Sequence, residues 1–144
     1  MHNTGDKASG VSLQAILGAL LDYAVIGKLG LFLLPLCWPD YELHSIDKSF
    51  TLTMLLMRLI VALAAAAAAG FTVAKWNGNL KSALIVALVC ASGAAYVHFF
   101  TITFTQYPMW YHCTYVFSVL PLIILSAYCF NKMTSNHHIL TSSN

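Results

Sequence analysis

Charge is scarce in this chain. Asp and Glu number 5, Lys and Arg 7, and charged residues make up 8% of the 144 residues, against about 25% in ordinary soluble domains. That shortage excludes a fully water-solvated surface. A soluble domain of this size buries only about two-thirds of its surface, and the 59% of residues that are apolar would overfill that interior. Catalytic signatures are missing as well. The four cysteines, at 37, 90, 113 and 129, form no C-x-x-C, which argues against a thiol oxidoreductase. There is no phosphate-binding loop, zinc-protease motif, nucleophile elbow or basic patch for nucleic acid. The beginning "MHNT" and the end "TSSN" carry no lipidation box.

What the chain does have is long apolar runs. About 20 helical residues cross a hydrocarbon core of roughly 30 Å, and runs of that length fall at about 13–36, 51–74, 82–105 and 109–130, flanked by polar termini 1–12 and 131–144. Backbone polar groups in lipid must be satisfied within the segment, so each run is expected to be a helix. The first run is too long for a signal peptide, carries Asp22 and Lys28, and lacks a small-residue cleavage pattern. The expected fold is all-α, a single domain of four antiparallel transmembrane helices. Its connections are the acid-rich "CWPDYELHSIDKS", the turn "KWNGNLK", in which "NGN" tolerates left-handed conformations, and the short "TQYPM".

Lys7, Lys75, Lys81 and Lys132 all fall on one side of such an arrangement, and Lys48 alone on the other, beside Asp40, Glu42 and Asp47. The positive-inside rule makes the lysine-rich side, with both termini, cytoplasmic. Trp38, Tyr41, Tyr107, Trp110 and Tyr111 gather at the opposite boundary as an aromatic belt would, and Trp76 marks the inner one. Cys37 and Cys113 both fall near that outer surface, where one disulfide is feasible.

The second and third spans are rich in Ala, Gly and Ser, which let lipid-embedded helices approach closely. Ala62, Ala65 and Ala69 share one stripe and Ala87, Ala91 and Ala94 another, so a tight hairpin between these two spans is expected. If Lys75 and Lys81 stand level across the turn, the equal helical rise puts Arg58 level with His98. The same reasoning through the other connections brings Lys28 to that depth and His112 one turn further out, while Asp22 lies deeper, in line with Gln14 and Gly18. Asp22, Lys28, Arg58, His98 and His112 therefore form the candidate polar site. Ionisable groups inside a membrane are costly and point to function by default. The bland alternatives are that Arg58 and Lys28 snorkel outward, that Asp22 pairs with a neighbour, and that His112 is an interfacial hydrogen-bond former. Pro121 frees the carbonyl of Phe117 within the last span. The His137–His138 pair is a weak metal motif in what reads as a short polar tail.

"YPMWYHCTYVFSVLPL", at 107–122, resembles the last loop and helix of small four-helix bacterial inner-membrane proteins. In that family an aromatic-Pro-x-Trp-Tyr-His run leads into an apolar helix with Leu-Pro near its middle. The likeness covers about sixteen residues; it implies a four-helix fold in the bacterial inner membrane and no particular activity. The "HC" after Tyr111 and the acid-rich first connection depart from the pattern. Three functions remain open: a non-catalytic accessory or binding subunit with an outward-facing polar site, alone, as a homo-oligomer or in a larger membrane complex; a proton- or ion-coupled carrier acting as a dimer through Asp22, Lys28 and Arg58; and an electron-transfer protein with haem held by His98 and His112.

Overall fold

The computed structural model describes residues 11–76 and 78–141, with side chains through 134. Six helices follow in order: α1 (Leu13–Cys37), α2 (Tyr41–Asp47), α3 (Leu52–Lys75), α4 (Leu80–Phe100), α5 (Thr103–Gln106) and α6 (Met109–Thr141). Four of them, α1, α3, α4 and the 109–134 stretch of α6, are long and apolar enough to cross a membrane. Their outer faces carry Leu21, Phe32, Ile60, Leu88 and Phe117 without a covering partner, as lipid-facing surfaces do. The protein is an all-helical, multi-pass membrane protein.

The helix starts follow from local chemistry. Ser12, Thr51 and Asn79 are the N-caps of α1, α3 and α4, and their side-chain oxygens accept from Ala15 N at 3.3 Å, Met54 N at 3.3 Å and Ser82 N at 2.9 Å. Each satisfies one of the amides a helix leaves orphaned at its first turn.

Three boundaries differ from expectation. The acid-rich connection contains α2, which closes on Lys48 in the left-handed region (φ 57°). The third span ends at Phe100, not 105. There the Thr101 hydroxyl donates to the Val97 carbonyl at 2.5 Å and the backbone turns extended, because hydroxyl side chains compete with the helical ladder; α5 is a separate short turn. The last helix runs to Thr141 rather than 130, no glycine or proline following Pro121 to stop it. The side chains of His137 and His138 lie outside the described residues.

Packing departs from expectation too. Of the spans consecutive in the chain, α3 and α4 touch least; α3 lies against α1 and α6, and α4 against α6. The tight α3–α4 hairpin is therefore corrected. Small residues do line α3, but they serve two other neighbours: a Cβ on Gly27 of α1 would stand 4.0 Å from Ala65, one on Gly30 would strike Val61, and one on Gly70 would strike Ser126 and the Ile123 carbonyl of α6. Gly18 lies under the Trp76 ring and Gly30 against Val61, positions that fall along α3 as they rise along α1, so these two run antiparallel. The run Ala62, Ala65, Ala66, Ala69 and Gly70 is small on more than one face, which is why α3 can sit between two partners.

The turn into α4 closes through Gly78 N donating to Val73 O at 2.8 Å. Gly78 has no positive φ, and Asn77, the other turn position, lies outside the described residues. Gly78 is small because a Cβ there would come within 2.6 Å of the Val73 carbonyl and 3.1 Å of Ala15. Around this end the core is continuous, with Ala19, Val73, Val86 and Ile123 among its members. Toward the other end the interior opens into a cavity lined by both α1 and α4.

Candidate functional site

The opening is a cavity of about 490 Å³ walled by α1, α3, α4, α5 and α6. Its apolar part is lined by residues such as Leu20, Val61, Val89 and Val97, and Gly27 and Gly93 thin its α1 and α4 walls. Its polar part holds Lys28, Arg58 and His98 with Tyr107, Tyr111 and Tyr115. Among the described residues, none that lines the cavity is acidic.

Arg58 sits one to two turns inside α3 and does not snorkel to the acids of the first connection. Its guanidinium donates from Nη1 to the Tyr41 hydroxyl of α2 at 2.5 Å, and its central carbon lies 5.1 Å from the Phe50 ring centroid and 5.2 Å from that of Tyr107. Aromatic faces attract a cation more strongly as water is excluded. The satisfaction is incomplete, because Nε is buried without a hydrogen-bond partner among the described residues. Burial holds the Tyr107 phenol above its ordinary value, against the opposing pull of Arg58, so this phenol supplies no counter-charge near neutral pH.

His98, 7% exposed, and His112, fully buried, meet Nδ1 to Nδ1 at 2.9 Å. His112 Nε2 lies 3.1 Å from the Tyr107 carbonyl. The two rings stand at 74° with centroids 5.1 Å apart. This geometry does not suit bis-histidine haem: two nitrogens across a metal need about 4 Å, from bonds of about 2.0 Å each, and both nitrogens of His112 are already engaged.

Of the five expected site residues, Lys28, Arg58 and His98 line one cavity, and His112 backs His98 without lining it. Lys28 remains exposed at the rim. Asp22 stands apart: its Oδ2 accepts from the Thr72 hydroxyl of α3, outside the cavity, a local pairing that gives a carrier built on Asp22, Lys28 and Arg58 no geometric support. Cys37 and Cys113 are both free.

The aromatic surround of Arg58 was not legible as a site. Tyr41 and Tyr111 are 3% and 2% exposed, buried members of the box rather than a belt at the interface. One signal was available: Tyr107, Tyr111 and Tyr115 recur every four residues, which sets such side chains on one helical face. Tyr41 had no such signal, since nothing in its surroundings foretold α2. No family model, curated protein or solved structure matches the chain.

Proposed function

We propose that the protein is a non-catalytic binding subunit of the bacterial inner membrane whose outward-facing cavity holds an amphiphile with an anionic headgroup. The observation that carries this reading is a cavity with two cations, Lys28 and Arg58, no acidic wall residue among those described, and an Arg58 Nε without a partner among them. Buried charge without compensation costs several kcal/mol, and an anion in the cavity would supply what the chain withholds. Most of the remaining lining, contributed by α1, α3 and α4, is apolar, which suits a hydrocarbon tail. The same polar face could seat the headgroup while the outer helix faces join a larger membrane complex or a second copy.

The test is binding of a short-chain phosphatidylglycerol to protein purified in a maltoside detergent, with phosphatidylcholine as the neutral competitor. The anionic lipid should bind preferentially. Arg58→Gln should weaken it roughly 10- to 150-fold, the equivalent of about 1.5–3 kcal/mol for a hydrogen bond to a charged group. Lys48→Ala, on the exposed cap of α2, should leave it unchanged. Equal retention of both lipids, or indifference to Arg58→Gln in a folded protein, would overturn the reading.

A further inference from the structure

The His98–His112 pair has a direction that its partners dictate. The Tyr107 carbonyl can only accept, so His112 Nε2, 3.1 Å away, must carry a hydrogen. A neutral imidazole has one N–H, which leaves His112 Nδ1 as an acceptor. His98 Nδ1, 2.9 Å from it, must then be the donor. The reverse tautomers would set a bare ring nitrogen against the carbonyl oxygen, lone pair to lone pair. Neutral His98 therefore keeps its hydrogen on Nδ1 and a bare lone pair on Nε2, the nitrogen on the far side of the ring from His112. That nitrogen makes no hydrogen bond to the described residues, and His98 is a wall of the cavity while His112 is not.

Neutral His98 thus offers an anion a lone pair, the wrong partner, in the cavity that holds Lys28 and Arg58. The groups that face it do not change this: Lys28 from α1 and Arg58 from α3 are cationic, and Tyr107, Tyr111 and Tyr115 are phenols. We infer, resting on the cavity as an anionic-headgroup site, that binding of the headgroup takes up one proton from solvent onto His98 Nε2, so that lipid binding and protonation are coupled. The added N–H donates to the headgroup oxygen, and the cationic ring keeps Nδ1–H on His112, whose own donor stays on the Tyr107 carbonyl. His112 is then a positioning residue, fixing which nitrogen of His98 is free. With the proton on the bound state, affinity rises as pH falls and is lost as pH rises; one coupled proton changes affinity by up to about tenfold per pH unit.

A phosphodiester lipid isolates the effect, since its own charge is constant between about pH 5 and pH 8, the range in which histidine titrates. Short-chain phosphatidylglycerol should bind the wild type more tightly toward acid. Calorimetry in buffers of different ionisation enthalpy should register about one proton taken up per lipid. Imidazole ¹⁵N shifts should show His98 as the Nδ1–H tautomer when free and doubly protonated when lipid is bound. His98→Gln should bind with no pH dependence. His112→Phe frees the His98 tautomer, so neutral His98 can present Nε2–H and the pH dependence should flatten; thermal melting identifies any variant that is unfolded, and the wild-type calorimetry and shifts decide the matter without it. Binding without proton uptake, or uptake that survives in His98→Gln, overturns the coupling and leaves the cavity reading standing. No binding at any pH removes both.

Discussion

The half-buried Arg58 guanidinium leans on phenol hydroxyls, those of Tyr41 and Tyr111. Tyr41 is the acceptor for Arg58 Nη1, and Arg58 Nε is already without a partner, so Tyr41→Phe would keep the ring and leave a second donor unsatisfied. Loss of one partner from a buried polar pair costs about 1–3 kcal/mol. The melting temperature in detergent should fall for Tyr41→Phe and stay put for Tyr128→Phe, on an exposed face of α6. Identical melting of the two variants would show that the Tyr41 hydroxyl contributes nothing. The positions of Arg58, Lys28 and His98 in one cavity followed from arithmetic on helical rise, because long apolar helices with short turns have little freedom in depth. The role of Tyr41 did not follow. It belongs to a short helix in a charged connection, where neither apolar periodicity nor length announces secondary structure, and where an aromatic residue near a membrane boundary is read as an interfacial anchor.

At the level of helices, two glycines have opposite meanings. A Cβ on Gly70 would run into the Ile123 carbonyl and stand 3.1 Å from Ala127 N, backbone atoms of α6 that cannot rotate away, whereas a Cβ on Gly93 would meet nothing within 4 Å. Gly70→Ala should therefore separate α3 from α6 at a cost of about 1–3 kcal/mol, typical of overpacking. Gly93→Ala should stabilise α4 by about 0.5–1 kcal/mol through lost backbone entropy of the unfolded chain. Reversible unfolding in mixed micelles measures both, and equal effects would mean that small residues here are only bulk hydrophobicity. Composition made the closeness of α3 legible but not its partners. Ala62, Ala65 and Ala69 lie on one stripe, yet Ala66 and Gly70 beside them make adjoining faces equally small, and a helix small on several sides does not declare which neighbour it prefers. The α4 stripe misled for a related reason: Ala87 enters the core, Ala91 is half-buried and Ala94 lines the cavity, so one run of small side chains serves packing at one end and space at the other.

For the whole molecule, the decisive asymmetry is between a closed end and an open end. The α3–α4 turn is pinned, with Gly78 on Val73 and the Ser12 amide donating to Ser82 Oγ at 3.1 Å, and the core near it is built of alanine and valine. The end that carries α2 and α5 is built of aromatic rings and cations around a void. The proposed ligand would enter from the end that holds the cavity, whose lining comes from both α1 and α4. The distribution of lysines gives an expectation for which end faces which side of the membrane. Lys75, Lys81 and Lys132 stand at the closed end and Lys48 alone at the open end, and basic residues near short loops are retained in the cytoplasm. The expected orientation therefore has α2 outside and the α3–α4 turn inside. In a background with the four native cysteines replaced, an impermeant thiol reagent added to intact cells should label Ser45→Cys in α2 and spare Lys81→Cys at the start of α4, with both labelled once the membrane is opened. The reverse pattern would place the cavity toward the cytoplasm and require its anionic occupant to come from the inner leaflet.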